Sequence, residues 1–274
     1  MAERYLDISR TFSGLMDQHF LSTIYGHNII KEVLFLQLIA PEPINILLIG
    51  DPSTGKTAIL KEIAQLKEAK YYEGSAATII TKDVSQFLCF NKIDQASPRD
   101  KHILIELMSA GISVLAAAGP KFGRFDPYGI ISEQIDLAPS LLTKFDLIFP
   151  LKDLPSREID EEVAFFILEE RKSVGKLFLP KMTPTIPQMT IEAIEELKQY
   201  YVNTRNISGK SVPIRPRQLV TLAKLAKAAA NARQSRKVNK EDAEQSLRIM
   251  DYCLNQIAKD KETGLIDIDR LIRK

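Results

Sequence analysis

Residues 44–57 read INILLIGDPSTGKT, and this stretch limits the fold more than any other. An apolar run, Ile46 to Ile49, stops at Gly50; four residues intervene, and Gly55, Lys56 and Thr57 follow. The pattern is the glycine-rich loop that cradles phosphate. A buried strand aims such a loop, its glycines let backbone N–H groups curl round an anion, and the following helix points its positive end at the same place. The candidate phosphate-binding residues are therefore Gly50, Asp51, Pro52, Ser53, Thr54, Gly55, Lys56, Thr57 and Ala58. In loops of this kind the lysine reaches the β- and γ-phosphates and the threonine hydroxyl reaches Mg²⁺, which makes Thr57 the candidate metal residue.

The rest of the composition excludes more than it proposes. A formal charge of +2 is too small to argue for nucleic acid. Cys89 and Cys253 lie far apart among apolar residues and read as reduced core thiols of a cytoplasmic protein. His19, His27 and His102 share no ligand spacing, so zinc is not expected. There is no run of 18 apolar residues and no apolar leader, so neither a membrane span nor export is expected. Met1 is expected to be a natural start.

Helical spacing is read over residues 5 to about 23 and from about Ile29 to Leu38, where Pro41-Glu42-Pro43 stops it. Strands are read at 44–49, at Tyr71-Tyr72, weakly at 77–81, and at 86–90, 112–118 and 145–151. Between them lie helices from Ala58 to about Leu66, from Pro98 to about Ser109 with Ser97 as cap and Asp100 returning a bond, and a short one at 139–143. Strands alternating with helices argue for a mainly parallel sheet covered on both faces. After about Lys152 the chain becomes helical: Ser156 caps a helix to about Arg171, and a linker holds Pro180, Pro184 and Pro187. Thr190, Pro216 and Asn239 then open three more helices. The expected division is a helical lead-in (1–43), an α/β subdomain (44–153), and a helical lid with a tail (154–274). The basic cluster Lys224, Lys227, Arg233, Arg236, Lys237 and Lys240 reads as a wet helical face, since no aromatics interleave it.

Several segments together resemble the AAA+ motor domain of the minichromosome maintenance (MCM) replicative helicases, especially the archaeal ones. They are IYGH at 24–27, LLIGDPSTGKT at 47–57, VLAAAGPKFGRFDPY at 114–128, IDLAPSLLTKFDLIFPLKD at 135–153, PIRPRQL at 213–219 and ETGLIDID at 262–269. The resemblance implies an AAA+ P-loop α/β domain followed by a small helical lid, a ring-forming habit, and an ATP site shared between neighbouring subunits. Counterparts of the family's amino-terminal OB-fold and zinc module and of its carboxy-terminal winged helix are expected to be lacking. Two DNA-facing elements also look deleted: the interval from Gly55 to Asn91 is too short for the helix-2 insertion, and Met108 to Gly111 leaves no room for the hairpin before the sensor strand.

The resemblance also exposes four departures. Where the family carries Asp-Glu after its buried strand, to support Mg²⁺ and polarise water, this chain has Asn91 and Lys92. The amide has no charge to hold a cation, and a lysine cannot serve as a general base unless strongly desolvated. Gly119 stands at the family's sensor asparagine, and Lys144 at its arginine finger, without the planar fork. Asp94, three residues past Asn91, either substitutes as an acid or is a surface carboxylate. Arg217 matches the second-sensor arginine, which meets phosphate across a subunit boundary, unless Arg215 and Arg217 merely form a solvated helix start. Tyr25 and Gly26 match the segment that borders adenine, or simply make a turn. The reading this supports is an MCM-like protein that binds ATP or ADP with Mg²⁺ but is deficient in hydrolysis. It would act structurally or in regulation, as a homo-oligomer or beside an active MCM ring, with DNA contact weakly supported. Restoring the acids, Asn91→Asp with Lys92→Glu, is expected to raise turnover if only they are missing. One alternative is an active DNA-dependent ATPase or helicase using Asp94 or residues supplied by a partner; another is a nucleotide-free scaffold in which even the phosphate loop is vestigial.

Overall fold

The structure is a computed structural model that describes residues 20–76, 79, 86–169, 185–207, 214–258 and 267. The expected helix over 5–23 (except its last turn), most of the weak strand at 77–81, Pro180, Pro184 and nearly all of the tail lie outside the described residues.

Five parallel strands form the centre: β1 (Ile46–Gly50), β2 (Lys70–Glu73), β3 (Phe87–Asn91), β4 (Ser113–Ala118) and β5 (Leu147–Leu151), in the order β2-β3-β4-β1-β5. All five residues of β1 are buried, which explains why its sequence is a continuous apolar run and not an alternation. The helices between strands are α1 (Asn28–Ile39), α2 (Lys56–Leu66), α3 (Pro98–Ser109) and the short α4 (Pro139–Leu142). Ser97 caps α3 as expected, its hydroxyl accepting the Asp100 N–H at 3.1 Å. Asp100 returns its carboxylate to the Ser97 hydroxyl, and its other oxygen accepts the N–H of Ile79 at 3.1 Å.

The second half begins with α5 (Arg157–Glu169) and continues as α6 (Ile191–Ile207), α7 (Pro216–Ala232) and α8 (Lys240–Ile257). Asn239 caps α8 reciprocally with Asp242. Two residue pairs, β6 (Gln188–Met189) and β7 (Lys237–Val238), add a parallel ladder that the sequence pattern does not announce. The helices α7 and α8 pack on each other, and Leu222, Leu225, Ala226 and Ala229 of the one and Ile249, Met250 and Cys253 of the other are buried in the core. Both cysteines are buried free thiols, as expected.

The basic cluster is only in part the wet face the sequence suggested: Arg236, Lys237 and Lys240 are exposed, whereas the other three are tied down. Lys224 donates to the Pro43 carbonyl at 2.7 Å and lies 3.6 Å from the Asp146 carboxylate, Lys227 pairs with Glu42, and Arg233 pairs with Asp242. The first two fasten the helical half to the segment entering β1. Among the described residues, no helix is long and apolar enough to cross a membrane.

Candidate functional site

In a parallel sheet the strands end on one edge, and ligands settle there. Gly50 ends β1, Asn91 ends β3, and Gly119 follows β4, so the sequence-selected positions converge. Gly50 is required by packing: a Cβ there would lie 2.5 Å from the Leu151 carbonyl oxygen on β5. Ser53 (φ 65°) and Gly55 (φ 85°) are both left-handed, which curls the loop before α2 begins at Lys56. The Lys56 ammonium donates to the carbonyls of Gly50 (2.7 Å) and Asp51 (2.6 Å) and to the Thr54 hydroxyl (3.2 Å). All three of its hydrogens are thus held inside the loop, and a bound phosphate must displace one of these partners. Burial lowers the Lys56 pKa, and the carboxylates of Asp51 and Asp94 partly offset that.

The Asp51 side chain is turned to the neighbouring loops. Its Oδ1 accepts the N–H of Phe125 at 2.6 Å and its Oδ2 that of Asp153 at 2.8 Å, while its own N–H donates to the Leu151 carbonyl. It staples the loops after β4 and β5 to the base of the glycine-rich loop.

At the end of β3, Asn91 Nδ2 lies 3.1 Å from the Thr57 hydroxyl and 3.1 Å from the Tyr71 hydroxyl. Lys92 has a left-handed backbone (φ 54°) and turns its ammonium to Glu73 on β2, 2.8 Å away. Lys92 is exposed and Glu73 half-buried, and Lys92 is not aimed at the loop. Asp94 follows in a short 3₁₀ turn (Ile93–Gln95); its Oδ1 accepts the Gly119 N–H at 3.1 Å. The carboxylate therefore lies beside Gly119, reached from the neighbouring strand end, where a glycine leaves it room.

The resemblance implies Mg²⁺ on Thr57, and the donor set there does not fit that ion. Magnesium takes oxygen ligands, with carboxylates supplying the charge. Here an uncharged amide presents its N–H₂ to the threonine hydroxyl, where a carboxylate would be needed to supply the charge.

Tyr25 and Gly26 border the loop. Ile24 packs so closely on Gly55 that a Cβ there would meet its Cδ1 at 3.3 Å, and Thr23 bonds Glu62 of α2 at 3.0 Å. The Tyr25 hydroxyl bonds Glu162 of α5, and its ring lies 5.7 Å from that of Phe166. Tyr25, Glu158, Glu161, Glu162, Phe165 and Phe166 line a cleft of about 670 Å³. The glutamate bond is the larger influence raising the Tyr25 pKa.

Lys144 and Arg217 are brought together, but not with the loop. Arg217 Nη2 donates to the Lys144 carbonyl at 2.5 Å, and the Lys144 ammonium donates to Ser109 at 2.8 Å. Lys144 precedes β5, so both residues sit at the amino edge of the sheet. The strand length of five residues, about 16 Å, separates that edge from the loop. Sequence reasoning missed Tyr71 and Glu73, whose alternate spacing on β2 puts them on one face, and missed α5 as the wall opposite Tyr25.

Comparison with known proteins agrees with this architecture. The MCM P-loop domain model matches residues 6–82 and 100–171, and the MCM AAA-lid domain model matches residues 181–254. The first match skips 83–99, the stretch that holds β3, Asn91, Lys92 and Asp94. An uncharacterized MCM-type protein of Methanocaldococcus jannaschii is 30% identical, covering 94% of this chain and 46% of its own length. That alignment runs over 353 positions, more than this chain contains, so the relative carries residues inside the shared span that this chain lacks. The minichromosome maintenance protein MCM of Saccharolobus solfataricus is 30% identical over 91% of this chain and 46% of its own. DNA replication licensing factor MCM4 of Arabidopsis thaliana is 30% identical over 82% of this chain and 34% of its own. The chain spans less than half the length of these relatives. With a P-loop half and a lid half matched in order, around a glycine-rich loop set at the carboxyl edge of a parallel sheet, this chain belongs to the MCM family.

Proposed function

We propose that this chain is a nucleotide-binding MCM-family module, loaded with ATP or ADP, that is deficient in hydrolysis and acts structurally or in regulation. Its partners would be copies of itself or an active MCM ring. One observation carries the reading: at the end of β3 an amide faces Thr57 and a lysine turns away to Glu73, where a carboxylate pair would be needed to move water. Loss of a general base costs about 10²–10⁴ in rate. The separation of Lys144 and Arg217 from their own loop supports a site shared between copies. Titrating ATP while following phosphate release in the same sample tests the proposal. Saturable binding with negligible turnover is expected; turnover typical of an ATPase overturns it.

A second reading is favoured by Asp94, whose carboxylate reaches the Gly119 N–H and bears on Lys56. In that reading the chain is an active, DNA-dependent ATPase. Turnover stimulated by single-stranded DNA, and abolished by both Lys56→Ala and Asp94→Asn, would establish it.

A further inference from the structure

The hydrogen bonds around Asn91 have a fixed direction, and that direction decides what can bind at Thr57. The chain of contacts starts at the surface. The Lys92 ammonium lies 2.8 Å from Glu73 Oε1. Its hydrogen bond is the largest influence holding the Glu73 carboxyl below the usual carboxylate range, so Glu73 is ionised and can only accept. Tyr71 is 3.1 Å from Glu73 Oε2 and must therefore donate its single hydrogen to it. Burial, opposed by Asn91 and aided by Glu73, pushes the Tyr71 phenol up to about 12, so that hydrogen stays on through the physiological range. With its hydrogen on Glu73, the Tyr71 oxygen can only accept from Asn91, so the Asn91 side chain must present Nδ2, not Oδ1. The second hydrogen of the same amide then goes to the Thr57 oxygen.

Two consequences follow at the loop. The Thr57 oxygen, the atom that would coordinate a metal, receives a hydrogen instead. The end of the amide dipole facing it is the positive one. Inverting the amide would set Oδ1 against a phenol oxygen whose only hydrogen lies on Glu73, so the chain of bonds resists inversion. Glu73, on a different strand, thus controls the polarity of the amide through Tyr71.

Resting on the proposed nucleotide binding, we infer that this site takes its ATP or ADP as the metal-free nucleotide. The ordered chain Lys92–Glu73–Tyr71–Asn91–Thr57 excludes Mg²⁺ from the position the family resemblance assigns to it. The ligand class is a nucleoside di- or triphosphate whose charge is met, within this chain, by Lys56 and loop N–H groups without a metal ion.

The test titrates a fluorescent ATP analogue onto the whole chain, with excess Mg²⁺ and, separately, with excess EDTA. Because Mg²⁺ in solution sequesters the nucleotide, a site that takes only the metal-free form should bind at least about threefold more weakly in excess Mg²⁺, and equal or tighter binding in Mg²⁺ overturns the inference. Asn91→Asp supplies a carboxylate and should make Mg²⁺ tighten binding about tenfold or more. Tyr71→Phe, which adds no buried charge and keeps the ring, frees the amide to invert and should make binding in Mg²⁺ at least equal to that in EDTA. Folding of each variant is checked by circular dichroism. If both fold and both still bind more weakly in Mg²⁺, the polarity chain is not what excludes the ion, and the inference falls. Failure to bind nucleotide in either buffer sinks the nucleotide reading itself, and the inference with it. Magnesium-dependent binding by the wild type sinks the inference alone.

Discussion

Asp51 and Phe125 stand 74 positions apart in the chain, yet the Asp51 carboxylate accepts the Phe125 backbone N–H at 2.6 Å. Its second oxygen holds Asp153 in the same way at 2.8 Å. The buried carboxylate satisfies two backbone donors that no strand pairs. Asp51→Ala should therefore destabilise the fold by about 2–4 kcal/mol, since each orphaned buried donor costs about 1–3 kcal/mol. Asp51→Asn, which keeps one acceptor, should lose about half as much. Urea unfolding followed by circular dichroism reads both.

Gly50 and Gly111 offer a contrast between crowding and backbone strain. A Cβ at Gly50 would meet the Leu151 carbonyl oxygen at 2.5 Å and the Leu151 Cβ at 2.7 Å, both on the paired strand. At Gly111 nothing lies within 4 Å, but φ is +90°. Gly111→Ala should cost about 1–2 kcal/mol from conformation alone. Gly50→Ala should cost more, about 3 kcal/mol, and weaken nucleotide binding as well, because β5 must move away from the loop. Equilibrium unfolding and nucleotide titration of both variants make the comparison.

His27 sets a pH dependence. Burial first, and Lys31 second, lower its pKa below 6.5. A histidine whose folded pKa is depressed contributes stability above the unfolded value and loses it as pH falls toward the folded one. The fold should therefore soften as pH drops below about 6.5, until the lower folded value is passed. Thermal melts from pH 8 to pH 5 should show that slope, and His27→Gln should flatten it.

Restoring acids at the end of β3 should disappoint. The position of Lys92 is left-handed and faces Glu73, so Lys92→Glu sets two carboxylates together. The double variant Asn91→Asp with Lys92→Glu should gain less than about tenfold in turnover, against the 10²–10⁴ that a well-placed base supplies. Adding Glu73→Lys, which restores an opposite charge, should stabilise the double variant in thermal melts. Phosphate-release assays on the three proteins check the turnover.

Much of this was legible in the residues. The apolar run before Gly50 marked β1, and Ser97, Asn239 and Pro216 marked helix starts, because these signals are local and act through a few neighbouring atoms. The strand order was not legible. Nothing in the string says that Glu73 pairs with Asn91 in register, so the sequence could show that an acid was missing but not which way the amide pointed. The staple made by Asp51 was hidden for a similar reason: the partners of its carboxylate lie 74 and 102 positions away. Lys224 and Lys227 looked solvated because their acceptors, Pro43 and Glu42, lie more than 180 positions away.

Lys144 and Arg217 carry a last consequence. They meet at the edge of the sheet where the strands begin, while the glycine-rich loop opens where the strands end. One molecule thus holds a socket on one rim and its cations on the other, and no rotamer change spans the distance. Any influence of those cations on a bound nucleotide must pass between molecules, and would vanish on dilution to single chains.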